Sequence, residues 1–105
     1  MTTFDKREEG FENQFAHNED LRFRAQARRN KLLGLWVAEQ LGLPADAAVD
    51  YARTVVAAGT AGDIDVVRKV MSDFDVKGVA TTEPQVHARM DELMAQAIAQ
   101  VKAGV

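Results

Sequence analysis

Cysteine is absent from the 105-residue chain, which excludes disulfide scaffolds and thiolate metal sites and permits a reducing compartment. Proline occurs twice and glycine seven times, too sparsely for a turn-rich β-sandwich of this length. Serine is present only as Ser72, with no suitable base beside it in sequence. The two histidines, His17 and His87, lack the spacing of a metal site. No apolar run approaches the roughly 18–20 residues that span a bilayer. The acidic, interrupted N-terminus also lacks the apolar core of a signal peptide. The run Gly59-Thr60-Ala61-Gly62-Asp63 lacks the lysine and spacing of a phosphate-binding loop. These absences predict a soluble, cytoplasmic protein that needs no metal or cofactor and is not an enzyme.

What is present is an ordinary globular balance, 47% hydrophobic and 28% charged, with a net charge of −3. The charge is unevenly spread. Residues 1–20 carry Asp5, Glu8, Glu9, Glu12, Glu19 and Asp20 against Lys6 and Arg7. Residues 21–43 carry Arg22, Arg24, Arg28, Arg29 and Lys31 against Glu39 alone. An acidic chain is repelled by a polyanion, so nucleic acid is not an expected partner.

Apolar periodicity predicts four helices. Val86, Met90, Leu93, Met94, Ala97, Ile98 and Val101 form one helical stripe. Ahead of it, Thr82 and Gln85 have the spacing of a capping box, with Pro84 in the first turn, where a missing N–H costs nothing. Over residues 63–77, Val67, Val70, Met71 and Phe74 repeat at i, i+3, i+4 and i+7, with Ile64 and Val66 on the buried edge. Thr60 or Asp63 would cap this helix and a left-handed Gly78 would stop it. Residues 44–58 present Ala48, Tyr51, Ala52, Val55 and Val56, with Gly59 as terminator. The fourth pattern begins near Asp20 and ends at Gly42. Leu32, Leu35 and Trp36 make one row of it, and Leu33, Val37 and Leu41 the next. Gly34 inside that helix costs about 1 kcal/mol relative to alanine and points to close packing against a neighbour, a hinge being the lesser reading. Short connections favour antiparallel neighbours. The expected fold is all-α, a compact four-helix bundle over residues 20–105 with a mobile N-terminal segment over residues 1–19, monomeric when free.

That leading segment is unlike the rest. Phe4, Phe11 and Phe15 stand at i, i+7 and i+11 on a charged body that includes Asp5, Lys6, Arg7, Glu8, Glu9 and Glu12. Fixing its backbone costs roughly 1–2 kcal/mol per residue, whereas burying three phenylalanines returns ~5–9 kcal/mol, and only if a pocket receives them. Gly10 weakens the helix further. The segment is therefore expected to be frayed alone and helical against a partner groove. The alternative is that it folds back and its rings complete the core. His17 sits at the hinge, where protonation would alter the segment's order, although a solvated histidine is the simpler reading. His87 reads as a boundary residue, not a ligand.

The following basic stripe, Arg24, Arg28 and Lys31 at i, i+4 and i+7, reads first as a solvated helix face, with Asp20 and Arg24 as a favourable i,i+4 pair. The functional reading is an anion contact, such as a nucleotide phosphate, with Trp36 or Phe23 stacking nearby.

The runs Phe4-Asp5-Lys6-Arg7-Glu8-Glu9-Gly10-Phe11-Glu12, Phe15-Ala16-His17, Leu21-Arg22-Phe23-Arg24 and Ala27-Arg28-Arg29-Asn30-Lys31-Leu32-Leu33-Gly34-Leu35-Trp36 together resemble the zeta subunit of alphaproteobacterial F-type ATP synthases. This small protein inhibits ATP hydrolysis by the rotary catalytic head. The resemblance implies that residues 2–20 are the inhibitory part, inserted as a helix at the catalytic α/β interface beside the central-stalk γ subunit. Phe4, Phe11 and Phe15 would be its anchors. It further implies a bundle held outside the cleft, a location at the cytoplasmic face of the membrane-bound synthase without insertion in the membrane, and adenine-nucleotide binding by the bundle. A nucleotide-binding helical sensor or adaptor is the competing expectation, with Arg24, Arg28, Lys31 and Trp36 as its contacts.

Overall fold

A computed structural model describes residues 18–104, and all of its regular structure is helical. Helix α1 spans Glu19–Gln40, α2 Ala45–Gly59, α3 Asp63–Lys77 and α4 Glu83–Lys102. The expected four-helix, all-α architecture is thus observed, and the predicted helical periods correspond to real elements.

The helix ends show how local chemistry sets them. Asn18 accepts a hydrogen bond from the Leu21 backbone N–H at 3.1 Å, and Glu19 and Asp20 fill the positive first turn of α1. At α4, Thr82 and Gln85 satisfy each other's backbone N–H groups in the predicted capping box. Gly78 stops α3 at φ 70°, a left-handed conformation that would strain any residue with a Cβ.

Five local expectations need correction. Helix α1 ends at Gln40, not at Gly42, and Pro44 stands before α2 as its N-cap, not within it. Gly59 is the last residue of α2, not a stop just beyond Ala58. A Cβ there would overlap the Asn30 amide of α1, so this glycine serves close approach. Neither Thr60 nor Asp63 caps α3. The N-cap is Gly62, the Thr60 hydroxyl donates back to the Ala57 carbonyl, and the Asp63 carboxylate is occupied by an arginine described below. Ile64 is 73% exposed instead of buried, because α3 and α4 meet along the thinnest of the main helix–helix interfaces and leave an open groove beside it.

The core lies where the four stripes converge. Leu33 and Val37 of α1, Val55 of α2, Val66, Val70 and Phe74 of α3, and Val86 of α4 are fully buried there. Met90 and Leu93 of α4 close it. Helices α1 and α2 have the most extensive interface, made possible by Gly34, against which the Ala52 backbone packs directly. The close-packing reading of Gly34 therefore holds. Helices α1 and α4 run antiparallel. Arg28 in the middle of α1 reaches Gln100 near the end of α4, and Trp36, about two turns further along α1, faces Arg89, about three turns back along α4.

Candidate functional site

The candidate inhibitory residues Phe4, Asp5, Lys6, Arg7, Glu8, Glu9, Phe11, Glu12 and Phe15 lie outside the described residues, as does His17. The described part of the molecule begins at the Asn18 cap, and the basic face of α1 follows at once.

On that face the candidate anion contacts separate. Arg24 and Arg28 line a groove of about 350 Å³ with Phe23 and Ala27 from α1 and Val101 and Gly104 from the end of α4. Arg24 is already paired with Asp20 at 3.0 Å, both side chains being exposed, an arrangement that contributes little stability. Arg28 donates to Gln100 Oε1 at 3.2 Å and is half-buried. Lys31 is exposed and does not line the groove. Trp36 is held elsewhere. Its ring meets Phe74 edge-on at 6.2 Å and carries the Arg89 guanidinium at 5.6 Å. The structure therefore brings Phe23, which is 64% exposed, to Arg24 and Arg28, and takes Trp36 away from them.

Two polar nodes escaped the reading of the sequence. Arg29, only 4% exposed, sits where α1 passes the start of α3. Its Nε and one Nη donate to Asn30 Oδ1 at 3.0 and 2.8 Å, and its two Nη atoms clasp both Asp63 oxygens at 2.5 and 3.3 Å. This fork-on-carboxylate geometry is the one that makes burial of an arginine tolerable. Hydrogen bonding from Arg29 also holds the Asp63 carboxyl below the usual carboxylate range. The second node ties α2 to α3. Tyr51 donates to Asp73 Oδ2 at 2.6 Å, Lys69 donates to the same oxygen at 3.0 Å, and the Lys69 ammonium lies 5.0 Å from the centre of the Tyr51 ring. Burial, reinforced by the Asp73 carboxylate, pushes the Tyr51 phenol far above its ordinary range. The signal for the first node was present as an arginine, an asparagine and an aspartate. Nothing in their spacing across 34 residues joins them.

Among the described residues no three histidine, aspartate or glutamate side chains gather as a metal site. No described helix is long and apolar enough to cross a membrane.

A family described as ATPase inhibitor subunit zeta matches residues 1–100 of the chain. A protein whose structure was solved by solution NMR is 47% identical and superposes with a TM-score of 0.71, the match covering 81% of this chain and 99% of that one. No curated protein matches.

Proposed function

Because this chain belongs to the ATPase inhibitor subunit zeta family, we propose that it blocks ATP hydrolysis by inserting residues 1–19 at the catalytic α/β interface of an F-type ATP synthase. The inhibitor role and association with the synthase follow from the family itself. The insertion, the segment that performs it and the subunits it meets are the further step. The observation that carries it is the extent of the family match, which runs from residue 1 through the charged leading segment into the bundle. The match thus spans the stretch that holds Phe4, Phe11 and Phe15 in this chain, not the helical domain alone.

Dimensions support the division of labour. The fold measures 50 × 25 × 24 Å, whereas a single helix with side chains is about 10–12 Å wide. A cleft that admits one helix excludes the bundle, which stops outside and limits how far the segment travels. Phe4, Phe11 and Phe15 supply the apolar anchors, each contributing about 1.5–3 kcal/mol when fully buried. Asp5, Lys6, Arg7, Glu8, Glu9 and Glu12 set register and orientation more than affinity. A wedge lodged beside γ stops the catalytic cycle by steric obstruction, with no reactive group of its own. Rotation in the hydrolytic direction draws the wedge in, and rotation in the synthetic direction expels it. The protein then acts at the cytoplasmic face of the synthase as a monomer.

Removing residues 1–17 tests this reading while leaving the Asn18 cap in place. The truncated chain is expected to keep its helical circular dichroism and lose all suppression of ATP hydrolysis by the purified catalytic head. Undiminished inhibition by the truncated chain refutes the proposal.

The exposed Phe23 ring beside Arg24 and Arg28 favours one additional reading, adenine-nucleotide binding in that groove. Replacing both arginines with glutamine is expected to abolish ATP-induced shifts of the groove amides. Unchanged shifts count against it.

A further inference from the structure

Helices α3 and α4 touch only sparsely and border a groove of about 660 Å³ that neither the inhibitory reading nor the basic face of α1 uses. Its floor is apolar. Val67 and Met90 are buried at its base, Met71 is half-buried, and Ile64 stands 73% exposed on the lip. The two methionines give this floor a soft, adaptable surface. From Asp63 to Asp75 the α3 wall runs about 18 Å, the length of three helical turns.

The rim is charged, and unequally so. At one end Asp63 is held by Arg29, and Arg68 lies 3.7 Å from Asp65. Asp75 near the end of α3, Glu83 at the start of α4 and Asp91 about two turns further along α4 also face the groove, without a lysine or arginine partner among the described residues, Glu83 having only His87 at 3.6 Å. The result is an apolar trough bordered by unneutralised carboxylates.

We propose that the groove between α3 and α4 is a docking site for a cationic amphipathic helix contributed by another protein. A third helix laid against α3 and α4 brings its own backbone hydrogen bonds already satisfied. The described residues offer no strand edge with which an extended peptide could pair. Apolar side chains at i, i+3, i+4 and i+7 meet Ile64, Met71 and the floor, while flanking lysines or arginines meet Asp75, Glu83 and Asp91. The chain's own residues 1–17 carry Asp5, Glu8, Glu9 and Glu12 against Lys6 and Arg7, the wrong sign for this rim.

The probe is a synthetic peptide of about 14 residues, with leucines at that spacing and lysines on the flanks, titrated into the full-length, methyl-labelled protein. Shifts centred on Ile64, Met71 and Met90 are expected. Binding should weaken by about tenfold in the triple variant Asp75→Asn, Glu83→Gln, Asp91→Asn, from roughly two- to threefold per exposed ion pair. Ile64→Gln, an exposed substitution that spares the core, should weaken it separately. Shifts centred on α1, equal binding of a peptide with glutamates replacing the lysines, or unchanged affinity in both variants overturns the proposal. It is equally overturned if the free protein shows contacts from the Met71 or Met90 methyls to Phe4, Phe11 or Phe15. Concentration-dependent shifts of the same methyls without peptide would place a second copy there and overturn it too.

Discussion

Replacing Gly34 with alanine sets two effects of opposite sign against each other at one position. In an exposed helix the change would stabilise by about 1 kcal/mol, because glycine gives up more backbone freedom than alanine on folding. Here the added Cβ would stand 2.6 Å from the Cα of Ala52, 3.0 Å from its Cβ and 3.3 Å from the Cβ of Val55. The nearest atom belongs to the α2 backbone and cannot rotate away, so α1 and α2 must separate by about 1 Å to reach ordinary van der Waals contact. Overpacking of this kind costs about 1–3 kcal/mol. Separation also loosens the burial of Leu33, Val37 and Val55, which sit in the same seam. Taking about 2 kcal/mol, the middle of that range, against the propensity gain leaves a net loss of about 1 kcal/mol. For a domain of this size that corresponds to a fall in Tm of about 4–8 °C. Thermal unfolding followed by circular dichroism measures it. Gln26→Gly, at an exposed site of the same helix, calibrates the propensity alone and should lose about 1 kcal/mol. A Gly34→Ala variant as stable as the parent, or more so, refutes the close-packing account of the α1–α2 interface.

Three further outcomes follow from the polar nodes and caps. Asp63→Asn should cost about 1 kcal/mol at neutral pH, less than a fully buried pair would lose because the Asp63 side chain is 60% exposed. Its carboxyl is depressed in the folded state, so the stabilisation is complete above the unfolded value near 4 and disappears as pH falls through the lower folded value. Urea unfolding at a series of acidic pH values should show the gap between parent and variant closing in that window, and a gap independent of pH contradicts the assignment. The phenol of Tyr51 is raised, so its contribution is intact below its unfolded value near 10 and is lost as pH climbs beyond it. Tyrosinate absorbance, which this single tyrosine makes unambiguous, should appear together with unfolding, and Tyr51→Phe should cost about 0.5–1.5 kcal/mol in neutral solution. Ionisation well before unfolding would count against the Asp73 bond. Thr82→Ala removes half of the capping box and should lower stability by about 1 kcal/mol in denaturant melts, with no change expected in inhibition. A loss below a few tenths would mean that Gln85 alone sustains the cap.

The four helices, the Thr82–Gln85 box and the left-handed stop at Gly78 were legible because each is written in residues within one or two turns of each other, and Gly34 marked a close approach without naming Ala52 as the neighbour. Apolar spacing reports which face turns inward whatever the neighbour is, and a cap is made by side chains three residues from the N–H they satisfy. The family resemblance was legible for a related reason, in ordered strings around Phe4 to Phe15 and Arg28 to Trp36. The same local pattern misassigned Ile64, because periodicity describes a buried face but cannot say whether a second helix arrives to cover it.

Tertiary structure decided the rest. Arg29 belongs by sequence to a basic stretch and by structure to the interior, since its partner Asp63 comes from another helix and only the crossing of α1 over the start of α3 makes a charged side chain affordable there. Gly59 reads as a helix stop until the Asn30 amide is found where its Cβ would be. Trp36 follows Arg28 closely enough to suggest a shared site, yet Phe74 and Arg89 hold its ring apart while Phe23 takes the place beside the arginines. Propensity, periodicity and capping act over a few residues and are therefore carried by sequence. Pairing of charges, close approach of backbones and the opening of a groove depend on how elements far apart in the chain come to lie together.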